Sequence, residues 1–292
     1  MAAPSSTENF EEMTSLSRDT PLSILLIPAS VIGCLMIMSA FLMLGISVLD
    51  VFPGWTYLTL DHYRDFFENR YLLQAGLRTL SLATVVTVVC LVLGYPVAWF
   101  LVLGRSRIAH LVFLAVLTPL IVSIVVRMFG WTILLGNEGL LNKILVGLGI
   151  VSAPIQMMRS FWTVAIGLIH VFLPFMILSL TSTLGRIDPS LSEAAATLGS
   201  RPVGSFLQII LPLSAQGIAT GSIIVFCLAS GVYLTPLWLG RGNVTVLATA
   251  IQQQILETGD WPAGAASAML LTLFTLLLVA GYSVFIRRVG RR

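Results

Sequence analysis

Residues 160–202 read SFWTVAIGLIHVFLPFMILSLTSTL and then GRIDPSLSEAAATLGSRP. The first 25 of these carry no Asp, Glu, Lys or Arg. As a helix they would rise about 37 Å, more than the roughly 30 Å hydrocarbon core of a bilayer. The next 18 hold Arg186, Asp188, Glu193 and Arg201. A membrane span that runs straight into a polar, helix-forming loop therefore decides the fold class, and the rest of the chain repeats the first half of that pattern.

Outward from 160–184, comparable apolar runs fall at 22–49, 79–103, 110–135, 215–239 and 263–286. Six spans are predicted. The expected domains are a tail 1–21, one six-span membrane domain 22–286 and a basic tail 287–292. At 57% hydrophobic and 10% charged, the 292 residues lie far from the roughly 25% charged residues of a soluble domain, so a soluble enzyme and a disordered chain are both excluded. The first apolar run is too long for a signal-peptide core and reads as a retained span. Segment 61–74 reads as a charged and aromatic outer connection, and segment 138–150, with helix-like apolar spacing, is expected at the membrane surface.

The net charge of +3 reads as topology, because no basic run lies beside an aromatic platform and nucleic acid is not an expected partner. Arg287, Arg288, Arg291 and Arg292 follow the last span directly. Positive residues are retained inside, so the C-terminus is expected in the cytoplasm and, with an even span count, the N-terminus too. Cys34, Cys90 and Cys227 lie inside apolar runs with no C-x-x-C spacing, so neither a metal site nor a disulfide framework is expected.

No catalytic residue is assigned. The spans hold no Asp or Glu, and H-E-x-x-H, G-x-S-x-G and the G-x-x-x-x-G-K-[ST] phosphate loop are all missing from the sequence. The lack of intramembrane acids also weighs against a self-sufficient proton- or sodium-coupled carrier. Two ionisable residues do sit in spans. Arg127 lies near the outer end of the third, where it either snorkels to the surface or borders a solute path. His170 lies near the middle of the fourth, either as a neutral hydrogen-bonded bundle residue or on the path.

In the loop, Asp188 followed by Pro189 starts a helix, since Asp caps free N–H groups and Pro suits the first helical position. Gly199 stops it by taking the left-handed conformation. Leu191, Ala194, Ala195 and Leu198 then share one face of a helix of about ten residues. A second short helix runs through Phe206, Leu207, Ile209 and Ile210 and turns at Pro212 into the fifth span. Periodicity alone leaves two readings open, a helix resting on lipid or a surface for a partner.

Glu193-Ala194-Ala195, then Gly199, then Ile209, Leu211 and Pro212 reproduce the spacing E-A-A-x3-G-x9-I-x-L-P. This resembles the coupling loop of ABC importer permeases. Tyr95-Pro96, residues 126–142 (VRMFGWTILLGNEGLLN), Leu173-Pro174-Phe175-Met176, residues 251–254 (IQQQ) and Asp260-Trp261-Pro262 are similar to the PotB-like permeases of spermidine/putrescine-type importers, over about residues 60–286. Where that family often carries an acid after the glycine late in span five, this chain has Val232 after Gly231.

The resemblance implies an all-α, six-span bundle of the type I ABC importer permease fold in the inner membrane of a prokaryote. Loop 185–214 would be the docking site of an ATPase, with Glu193, Ala194, Ala195, Leu198, Gly199, Ile209, Leu211 and Pro212 in contact or in support. Two copies of that ATPase would carry ATP and Mg, and this chain no cofactor or metal of its own. The other implied partners are a second, homologous permease, an extracytoplasmic solute-binding protein and the lipid bilayer. The solute would be a small nitrogen-containing one, polyamine-like, passing His170, Gly231, Tyr233, Pro236, Trp238 and Arg127. The open alternatives are another solute (an amino acid, an opine, another small organic cation or anion) and, from a different class, a carrier or channel that needs no ATPase.

Overall fold

The structure, a computed structural model, describes residues 22–54, 57–104, 107–188 and 190–289. The acidic N-terminal tail, Pro189 and the last two arginines lie outside them. Apart from one isolated antiparallel bridge between Leu49 and Leu58, the regular structure of the described residues is helical. The elements used below are α1 (Leu22–Ser47), α2 (Asp61–Glu68), α3 (Arg70–Leu103), α4 (Arg107–Ile121), α5 (Ile124–Leu135), α6 (Leu140–Gly147), α7 (Phe161–Leu184), α8 (Ser190–Thr197), α9 (Pro202–Ser205), α10 (Ala215–Gly231), α11 (Leu234–Gly240), α12 (Leu247–Leu256) and α13 (Trp261–Val289). Between α9 and α10 lie a π-helical stretch, Phe206–Ile210, and a last turn, Leu211–Leu213.

The predicted all-α bundle forms. Among the described residues five helical stretches are long and apolar enough to cross a bilayer, namely α1, α3, Ile124–Gly147 (α5 with α6), α7 and α13, or six if Val203–Leu213 and Ala215–Gly231, bent by 62° at Ser214, count as one. The centre of the bundle is α3, α7 and α10, each packed on the other two. In α7, 56% of the most apolar window is buried, against 6% in α1, which lies on α13 at the rim. Lipid tails are as apolar as leucine, so burial alone does not drive such helices together; close backbone approach at small residues does. A Cβ on Gly217 would stand 2.7 Å from the Thr183 side chain, and one on Gly221 2.7 Å from Met176 Sδ. These glycines let α10 lie directly on α7.

Two predicted spans are interrupted. The run expected at 110–135 is two helices, α4 and α5, separated at Val122 and Ser123. Pro119 lies in the last turn of α4, and Arg127 donates to the carbonyls of Pro119 and Val122 at the end of that helix. The run expected at 215–239 ends as a helix at Gly231, passes through extended Val232 (φ −79°, ψ 132°) and restarts as α11. The second span begins at Arg70 rather than 79, because Asn69 caps it there by accepting the Tyr71 N–H at 2.9 Å. At 34 residues α3 is about 50 Å long and must extend beyond the bilayer core.

Candidate functional site

The loop after α7 has the predicted construction. The Asp188 carboxylate accepts the Ser190 N–H at 2.9 Å. That bond, with the Ser190 hydroxyl, holds the exposed carboxyl below the ordinary Asp range. At the other end Gly199 has φ +81°, and the Ser200 N–H returns to the Ala195 carbonyl at 3.0 Å, the six-to-one bond of a Schellman stop. Open space surrounds the Gly199 Cα on the side where a Cβ would stand, so the backbone angle alone demands glycine.

One part of the loop differs from expectation. Ala195 and Leu198 do not share an exposed face, since Ala195 is 7% exposed and Leu198 is 89% exposed. The helix α8 packs on α9 and on the π-helical stretch, which turns the Ala195 side inward and leaves Ala194, Leu198 and Gly199 outward. A helix of a two-helix loop must bury one side against its own partner, and the sequence pattern does not say which. Glu193 lies mid-helix, and its side chain is outside those described.

The second limb of the loop is fixed to α3. Phe206 meets the rings of Tyr95 and Trp99 edge-on, at 5.5 and 6.1 Å between centroids. Ile210 is buried, Ile209 and Leu211 are half-buried and Pro212 is exposed. Ser214, fully buried at the 62° bend, hydrogen-bonds Tyr95 Oη at 2.9 Å and the Leu211 carbonyl at 2.9 Å. Between the loop and the bundle lies a cavity of about 560 Å³ whose walls include Ser179, Thr183, Arg186, Asp188, Gln216 and Thr220.

The residues expected along a path gather around α5. Arg127 donates from its Nη2 to the carbonyls of Pro119 and Val122, the latter at 2.7 Å, and so closes the C-terminus of α4. Its Nε is buried without an acceptor. One turn on, Trp131 lies edge-on to His170 of α7 at 5.7 Å, and Phe129 to Trp238 of α11 at 5.3 Å. Thus α5 joins Arg127, His170 and Trp238 through two aromatic residues that sequence reading did not single out. Gly231 ends α10, Tyr233, 46% exposed, stands in the break, and Pro236 is buried within α11 beside Thr235, whose Oγ1 is buried and unpaired. At the end of the bundle away from the loop, a cavity of about 310 Å³ is bordered by Tyr71, Gln252, Gln253 and Glu257, with Tyr71 Oη donating to Gln253 at 3.1 Å. Glu257, just beyond α12, is a carboxylate that lies between the predicted spans 215–239 and 263–286. No cluster of three His, Cys, Asp or Glu able to hold a metal occurs among the described residues.

This arrangement, a bundle centred on α7 with a two-helix loop continuing into a bent span, is the fold of ABC transporter membrane subunits. The chain superposes on a bacterial ABC transporter for alginate, solved with an alginate pentasaccharide-bound periplasmic protein, with a TM-score of 0.79, 18% identity, and 95% of this chain and 97% of that one covered. It also matches the MetNI methionine ABC transporter at a TM-score of 0.58 and 18% identity, over 75% of this chain and 95% of that one. No protein-family model matches. In sequence it is 34% identical to the spermidine/putrescine transport system permease protein PotB of Escherichia coli K12 over 224 residues, 77% of this chain and 81% of that protein. It is 32% identical to the inner membrane ABC transporter permease protein YdcU of the same organism over 245 residues, 80% and 76% of the two chains. The chain belongs to the PotB-like family of ABC transporter permeases. It is a multi-pass membrane protein and a transport subunit, not an enzyme.

Proposed function

We propose that this chain forms half of the translocation pathway of an ABC importer for a small nitrogen-containing solute of the polyamine kind, the solute class named for its PotB relatives. Its partners are two copies of an ATPase, which hold ATP and Mg, a second permease of the same fold, and an extracytoplasmic binding protein. A periplasmic protein accompanies the alginate ABC transporter, one of the structural neighbours. The chain itself holds no cofactor. It lies in the inner membrane with both termini in the cytoplasm, an orientation drawn from the arginine tail.

The observation that carries this reading is mechanical continuity. The exposed edge of α8 offers Ala194, Leu198 and Gly199 to the ATPase. From there α9 and the π-helical stretch run without a break to Ser214, the bend of a central helix. Closure of the ATPases displaces the loop, and a tightly packed core responds by moving between two arrangements rather than by stretching. At the far end of the bundle, the break at Val232 and Tyr233 and the short α11 are where an outer gate would flex. Aromatic faces attract cations, and Tyr233, Trp238 and Trp131 provide them; Glu257 provides a negative charge at the outer cavity.

A second reading, the same importer class carrying an amino acid or another small organic ion, is favoured by Val232 standing where the family often has an acid. Uptake in cells carrying the whole system, competed with putrescine, spermidine and amino acids, separates the two. Competition by the polyamines alone supports the first reading, and indifference to them removes it.

A further inference from the structure

Arg159 and Arg241 are the only non-glycine residues with positive φ among the described ones, at 65° and 42°. They come from different loops, one entering α7 and one leaving α11, and both line a single cavity of about 250 Å³ with Thr132, Asn137 and Gln156. The loops are tied together by the Arg159 N–H, which donates to the Leu239 carbonyl at 3.0 Å. At Arg241 the left-handed backbone is the C-cap of α11; at Arg159 it is held by the bond to Leu239, the kind of imposed conformation that occurs at ligand clamps. No carboxylate among the described residues pairs with either guanidinium; the ion pair that does form is Arg64 with Glu68.

The cavity is therefore bordered by two exposed arginines, with no ion-pair partner among the described residues, together with amide and hydroxyl side chains. That set fits a carboxylate, which guanidinium groups bind in a two-pronged fashion. It repels the cationic solute proposed above, so the cavity is not the solute's entrance. It lies at the start of α7, a helix of 24 residues that separates it from the ATPase-side loop by about 35 Å. We propose that Arg159 and Arg241 form a clamp for an acidic side chain of the extracytoplasmic binding protein, setting where that protein seats on the permease. This rests on the importer reading above.

The test uses the whole importer, both permeases and the ATPases, in phosphatidylcholine proteoliposomes, with ATPase activity measured as its purified binding protein is titrated. Exposed side chains can be exchanged without loss of the fold, and both R159E/R241E and the milder R159K/R241K are made. The clamp predicts that R159E/R241E raises the half-saturating concentration of binding protein by about tenfold or more, with R159K/R241K intermediate. The maximal rate and the rate without binding protein stay as in wild type. At about 0.5 M salt the wild-type value moves toward that of R159E/R241E, because exposed charges are then screened. An unchanged half-saturation in R159E/R241E overturns the clamp. So does a lowered maximal rate at unchanged half-saturation, which would place the arginines on the solute. Sensitivity that appears only when phosphatidylglycerol is added assigns the site to a lipid headgroup and also overturns it. Wild-type importer that ignores the binding protein altogether overturns the importer reading, and the clamp with it.

Discussion

The phenol of Tyr95 and the hydroxyl of Ser214 meet at 2.9 Å across 119 residues of sequence, joining α3 to the bend between the loop and α10. Ser214 is fully buried there. Tyr95→Phe removes one partner of this bond and keeps the ring that Phe206 packs on. It is expected to lower stability by about 1 kcal/mol. It should also reduce uptake per ATP hydrolysed while ATPase association stays intact. A thermal melt of the purified complex and the ratio of uptake to hydrolysis check both parts, and an unchanged ratio would remove Tyr95 from the transmission path.

Gly199 tests conformation apart from space. No atom would obstruct a Cβ within the chain, so Gly199→Asn, which tolerates the left-handed angle, is expected to keep most ATPase association. Gly199→Val must distort the Schellman stop, at a cost of roughly 1 to 2 kcal/mol, and should lose association and uptake together. Co-purification of the ATPase with each variant is the measurement. Equal association for both would mean the bend is dispensable.

Arg127→Met leaves the carbonyls of Pro119 and Val122 without their donor inside an apolar layer. A loss of about 1.5 kcal/mol or more is expected, with Arg127→Lys retaining part of it. If instead Arg127 served only a solute, the melting temperature would not move while the KM for uptake did.

Gly217→Ala places a methyl group 2.7 Å from Thr183. Overpacking of this kind costs about 1 to 3 kcal/mol. The double change Gly217→Ala with Thr183→Gly, which removes both opposing atoms, Cβ and Oγ1, should recover part of the loss in the same melting assay.

Much of this was legible in the sequence, and the failures have identifiable causes. Span positions followed from uncharged runs longer than the bilayer core, and the ends of α8 from Asp188 and Gly199, residues whose local chemistry fixes the backbone. The break between α4 and α5 was not legible, because it depends on a side chain eight residues beyond Pro119 reaching back to its carbonyl. Nor was the inward turn of Ala195: helical spacing puts residues on a common face but carries no sign of what that face meets. Trp131 and Phe129 read as ordinary apolar residues, and only the packing of α5 on α7 and α11 brings them to His170 and Trp238.

A π turn closes its hydrogen bonds one residue further along than an α turn, so the stretch Phe206–Ile210 holds one residue more than a plain helix would need. Five residues at the wider π pitch turn through nearly the same angle as four in an α-helix, so the stretch takes up its extra residue with little rotation of the segments on either side. Phe206 is thereby kept on the Tyr95 and Trp99 rings. The spacing of nine residues between Gly199 and Ile209 is thus an angular setting as well as a distance. A residue removed from an α-helical part of the same path would instead turn what precedes it by about 100° and present the glycine bend to the wrong side.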